Sequence, residues 1–254
     1  MNATIRLSGR KGLLSAIPAI LGFHPANSLV IACLQGDTNK VGPILRVDLS
    51  EYRSGPAALA YQLGSIIAKH SDNAVLVFYG IDADPIGFAG MLSHHGVSIL
   101  DTVFVGNEPH EINLRMHAEN IGLGNVVHTT REGLRARVEF DENAEPHLDL
   151  ELIAAMRDYT SRDAFLADNV TDARPALERV LATCRRIADD AVLADLCAVA
   201  AFLAYRVGDG ALAQVCLDRA LRIDPHHRLS QLMMQVMSVA ILPTELDHLM
   251  EGVI

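Results

Sequence analysis

The chemistry this sequence could support begins at Gly22-Phe23-His24-Pro25-Ala26-Asn27-Ser28. His24 is the side chain there that changes charge near neutral pH, so it could act as acid, base or ligand at a pocket rim. Gly22 tolerates the left-handed backbone that closes a helix, Pro25 fixes the exit, and Asn27 or Ser28 can bond the loop backbone. The same residues would also make a rigid corner from which a sheet starts. Arg46 and Asp48 stand two apart in a β-rich run and so share a face. They form either an anion clamp beside a carboxylate or an ion pair on the solvated side of a hairpin. Asp82 and Asp84 follow the clearest strand in the chain, Ala74 to Tyr79. Acids beyond the carboxyl end of a parallel strand could hold a magnesium ion or a ribose hydroxyl, and an Asp before Pro85 is also an ordinary helix cap. Gly22, His24, Asn27, Ser28, Arg46, Asp48, Asp82 and Asp84 are therefore the candidate binding residues.

Other chemistry finds less support. There is no G-x-x-x-x-G-K-[ST] phosphate loop, no G-x-S-x-G elbow and no H-E-x-x-H pair. Gly122 and Gly124 do not follow a strand and lack the third glycine of a dinucleotide motif. His94-His95 and His226-His227 are adjacent pairs, and neighbours on a helix point about 100° apart, so they rarely share one metal. Cys33, Cys184, Cys197 and Cys216 do not stand at metal-ligand spacing, and the last three fall on apolar helix faces, where a free thiol acts as a small hydrophobe. No metal site and no cofactor are expected, no catalytic residue is assigned, and the thiols point to a reducing compartment.

The elements that must position these groups change character midway. In the first half, Ser8 can cap a helix that Pro18 should kink or restart and Gly22 ends. Thr4 to Leu7 alternates as a short strand. Ser28 to Leu34 and Ile44 to Leu49, joined by polar turn residues, read as an antiparallel hairpin. A helix over 56–70, the strand 74–79, a helix from Pro85 stopped by Gly96, and a strand within 97–105 follow. That order implies a mixed sheet flanked by helices, with the later strands parallel. Beyond Asn107 strand signals stop. Helices are expected over 114–121 and from Thr130 to about Phe140, and the polar stretch 141–147 divides an α/β domain, 1–145, from a helical one, 146–254.

Residues 194–227 carry tetratricopeptide-like spacing: Gly208 in a turn, then Ala213, Ala220 and Pro225. Small residues let two helices approach closely, and the proline stops the second. The functional reading is a peptide-binding concave face; the plain one is a helical hairpin that completes a domain.

Composition narrows the partners. Half of the 254 residues are hydrophobic, which supplies a core, and the net charge of −10 disfavours general nucleic-acid binding. The arginines between Arg174 and Arg186 are interleaved with acids and read as a solvated helix face. The apolar run 191–207 contains Asp195 and falls short of the ~20 residues of a membrane span. Arg6, Arg10 and Lys11 before an apolar run imitate a signal peptide, but Pro18, Gly22 and His24 interrupt it.

The stretch LSAIPAILGFHPANSLVIACL, Leu14 to Leu34, resembles the signature of the actinobacterial domain of unknown function 4192 family. The resemblance continues through Val41 to Asp48, the strand 74–79, Ser161 to Leu166, and Gly208 through Pro225. It implies an actinobacterium or one of its phages as source and a cytoplasmic setting, and it supplies no activity. Many members carry a Trp- and Cys-rich loop where this chain has Asn107 to Leu114, with neither residue. The sequence thus leans against catalysis. It points to a binding or adaptor protein that takes a protein or peptide on its C-terminal helices. The alternative is an α/β enzyme or small-molecule sensor with a site at the carboxyl ends of the strands.

Overall fold

The computed structural model describes residues 9–36, 40–80, 85–105, 131–144, 149–188, 191–243 and 245–246. The strand expected at 4–7, the helix at 114–121, the loop 107–114, Asp82 and Asp84 lie outside them. The chain divides into two compact units, one of Met1–Ile20 and His24–Val127, the other of Leu21–Phe23 and His128–Ile254. The polar stretch 141–147 therefore lies inside the second unit.

In the first unit, α1 (Gly9–Leu21) precedes the hairpin β1 (Ser28–Gln35) and β2 (Lys40–Asp48). Then come α2 (Leu49–Ser54), α3 (Pro56–His70), β3 (Asn73–Tyr79), α4 (Pro85–Ser93) and β4 (Ser98–Val105). The sheet order is β2-β1-β3-β4. β1 runs antiparallel to both neighbours and β3 parallel to β4, so β2, β3 and β4 point the same way. One sheet face carries Leu29, Ile31, Val47, Leu76 and Phe78, packed against Tyr52 of α2, Leu63 and Ile67 of α3, and Phe88 and Leu92 of α4. The Tyr52 ring meets Phe78 and Phe88 edge-on, at 5.6 and 5.0 Å between centroids. Each such side chain contributes about 1.5–3 kcal/mol when fully buried. On the opposite face Val30, Ala32, Val75 and Val77 are buried as well. Arg10 of α1 bonds Asp101 on that face, with its Nη2 2.6 Å from Oδ1. This is the mixed sheet flanked by helices.

Of the two outcomes expected at Pro18, a kink or a restart, the restart does not occur: α1 is one continuous helix through Pro18, with Ala16, Ile17 and Ala19 buried on either side of it. α2, which follows β2 without a linker, was not legible: its six residues are too few for a periodic signal.

The described part of the second unit is helical: α5 (Arg131–Arg135), α6 (Leu150–Met156), α7 (Tyr159–Asp168), α8 (Ala173–Cys184), α9 (Ala191–Arg206), α10 (Gly210–Ile223) and α11 (Arg228–Ser238). The helix expected to reach Phe140 stops at Arg135. The Val138 carbonyl, which a longer helix would pair with a later backbone N–H, is taken by the Arg219 guanidinium. α9 is the centre of this unit. Twelve of its sixteen residues are buried, so it is enclosed on nearly every side, as expected for a helix apolar all round. α6, α8, α10 and α11 supply the contacts. Alanines along α9 allow that closeness. The turn to α10 needs Gly208, at φ 82, and Asp209, whose carboxylate accepts the Leu212 backbone N–H at 2.9 Å.

Candidate functional site

At one end of the sheet the start of β1 meets the carboxyl ends of β2, β3 and β4. Ser28 is paired with Asp48 on one side and with Tyr79 on the other. These three residues form one row on one face, and strand spacing puts the outer two about 10 Å apart. The loop entering β1 is held by its own bonds. Ser28 is fully buried and its hydroxyl donates to the Ala26 carbonyl at 2.7 Å. The Asn27 carbonyl accepts the Leu49 N–H at 2.9 Å, tying the loop to the start of α2. Asn27 itself sits at φ 47, a left-handed conformation that costs a non-glycine residue energy. Gly22, at φ 75, closes α1.

Arg46 stands two residues further in along β2, opposite Val30, and reaches back to Asp48 of that row. The Arg46 Nη2 donates to the Asp48 Oδ1 at 2.6 Å, with the guanidinium mostly buried and the carboxylate more open. Burial raises the Tyr79 phenol well above its usual pKa, so it stays protonated. Half-buried His24 is shifted the other way: desolvation penalises the imidazolium and favours the neutral ring. Of the sequence candidates, the structure thus gathers Asn27, Ser28, Arg46 and Asp48 at the carboxyl end of the sheet. Asp82 and Asp84 fall outside the described residues. Among the described residues, the Ser28 hydroxyl donates to a carbonyl and the Arg46 guanidinium to a carboxylate, an arrangement that can position a ligand.

A second constellation, in the helical unit, escaped sequence reasoning. Tyr159, at the start of α7, is 71% exposed, and the Arg162 guanidinium lies 4.9 Å over its ring. Arg162 is held by Asp163, at 2.8 Å, and reaches Asp195 of α9 at 3.7 Å. Asp195 in turn accepts from His227 Nε2 at 3.1 Å. On the other side of that ring, Nδ1 faces both the Ser230 hydroxyl, at 2.9 Å, and the Ser230 backbone N–H, at 3.3 Å. An N–H pointing at Nδ1 requires a lone pair there, which places the ring hydrogen on Nε2, toward Asp195. Ser, His and Asp are the residue types of a hydrolase triad, but here His227 caps α11 and Ser230 is completely buried, so no substrate reaches its oxygen. The chain of contacts fixes α7, α9 and α11 to one another beneath an exposed tyrosine. Its signal in the sequence was Asp195, an acid inside a mostly apolar run.

Among the described residues, no three His, Cys, Asp or Glu side chains are arranged to hold a metal ion, and no helix is long and apolar enough to cross a membrane. A four-stranded mixed sheet flanked by helices, with a helical C-terminal part, defines the class of protein. The chain belongs to the family described as Domain of unknown function (DUF4192), which matches residues 11–105 and 115–244. No curated protein and no solved structure matches it.

Proposed function

We propose that the chain is a non-catalytic binding or adaptor protein of an actinobacterium or its phage, working in the cytoplasm and taking a protein or peptide partner on its C-terminal helices. The observation that carries this reading is the Tyr159–Arg162 corner. An exposed aromatic stacked on a guanidinium, held rigid from below, matches the side chains that dominate binding energy at interfaces. The tetratricopeptide-like spacing of 194–227 supports it by analogy only. Because α9 is enclosed by its own chain, the partner meets the outer helices and not a concave face lined by α9. A photo-crosslinking residue placed at position 159 of the full chain tests the reading. The expected result is one defined cross-linked species in cell extract, competed away by unlabelled wild type and not by a Tyr159→Ala, Arg162→Ala double variant. Equal competition by that variant would overturn it.

A second reading, a small-molecule sensor or enzyme at the carboxyl ends of the strands, is favoured by one observation. Asn27 holds a strained conformation beside the row Asp48, Ser28, Tyr79, and such strain collects at ligand sites. A ligand bound only by the native state must raise the melting temperature. A screen of nucleotides and small anions in which hits shift wild type but not Asp48→Asn would support this reading, and shifts that survive the substitution would remove it.

A further inference from the structure

Four cysteines are free and buried, but they are not equivalent. Cys33 sits in the sheet core of the first unit. Cys184, at the end of α8, and Cys197, in the middle of α9, bring their sulfurs within 4.0 Å of one another across a helix–helix seam, 13 residues apart in sequence. Cys216 of α10 lies in the same core. Ala194, Ala198, Ala200 and Ala201 stand beside Cys197 along α9, and small side chains of this kind favour a close helix–helix approach. A disulfide requires the sulfurs to close to about 2.05 Å, a movement a thiol makes by turning about χ1.

We propose that Cys184 and Cys197 are a latent redox pair, which a small uncharged peroxide oxidises to a disulfide that locks α8 onto α9. In the first step a thiolate attacks one peroxide oxygen; the O–O bond breaks, a sulfenic acid forms, and the departing hydroxide takes the thiol proton as water. In the second, the other sulfur attacks the sulfenic sulfur; the S–O bond breaks, a second water leaves, and the S–S bond forms. Two thiols lose two electrons, and one hydrogen peroxide becomes two waters. The hydrogen bond from the Cys197 thiol, together with burial, holds the Cys184 thiol protonated, and burial does the same for Cys216, each opposed in part by the Arg219 guanidinium that bonds the Cys184 carbonyl. The resting protein is therefore slow to oxidise, and the switch responds to sustained peroxide rather than to traces. It does not depend on the docking reading.

The test treats the folded full chain with hydrogen peroxide, then unfolds it and counts thiols. The expected result is a fall from four titratable thiols to two. A peptide pair linking Cys184 to Cys197 should account for the loss, and dithiothreitol should restore it. Cys197→Ala, a substitution suited to that alanine-rich helix, should abolish the linked pair, and Cys33→Ala should leave it intact. Four thiols surviving treatment, or a link between Cys197 and Cys216 instead, would overturn the proposal. Should the Cys197→Ala chain fail to fold, peptide mapping of the oxidised wild type decides by itself.

Discussion

Arg219 shows how much one buried charge can fix. It is 1% exposed, and its guanidinium bonds the carbonyls of Val138, Cys184 and Ile187, with Glu139 3.6 Å from its Nε. Two of those carbonyls lie at and just beyond the end of α8, where backbone oxygens lack helical partners and a cation is favoured. Arg219→Ala leaves them in the interior without that donor and is expected to cost about 3–5 kcal/mol, read as a shift in urea midpoint. A loss below about 1 kcal/mol would mean that water replaces the side chain. His24 carries a pH signature. Burial lowers its pKa from 6.5, so the unfolded chain binds the proton more readily than the folded one. Stability held by the neutral ring is complete above pH 6.5 and is lost as pH falls through that value toward the folded pKa. His24→Gln is expected to flatten that slope in urea midpoints taken between about pH 7.5 and about pH 5. An unchanged slope would assign the acid sensitivity to other groups.

Elements carry the clearest link between sequence and structure. The helix expected over 56–70 is α3 to the residue, because Pro56 opens it and Ser71 closes it. β3 was legible as an interior strand from its unbroken apolar run, and it lies between β1 and β4. Periodicity could not reveal close approaches between elements. Gly64 on α3 faces His95, where an added Cβ would stand 2.6 Å from the ring. Gly64→Ala gains about 1 kcal/mol of helix propensity, but it pushes the ring and Cβ of His95 away from α3. A net loss of about 1–2 kcal/mol is expected, since overpacking outweighs propensity. Stabilisation would show that the turn carrying His95 moves aside freely. At the α9–α10 turn, Asp209→Ala removes the bond to Leu212 and should cost about 1 kcal/mol. Denaturant unfolding of the variant checks this, and an unchanged midpoint would show that the cap is dispensable.

At the scale of the whole molecule, charge is the broadest statement the sequence makes. A net −10 repels phosphate backbones, so the chain is expected to pass an immobilised-DNA column at physiological salt without retention. Retention that falls steeply with added salt would expose a basic face that the total charge conceals. The candidate sites were legible to different degrees. Asn27, Ser28, Arg46 and Asp48 were readable because they flank strands whose order fixes which ends meet. The Tyr159–Arg162–Asp195–His227 chain joins three helices far apart in sequence, and no local spacing encodes such a meeting. The most direct measurement is the affinity of the cross-linked partner, once purified, for the wild-type chain and for Tyr159→Ala. Binding at least about tenfold weaker in the variant, with Asp48→Asn unchanged, is the expected result. Equal affinity for wild type and Tyr159→Ala would contradict docking at this corner.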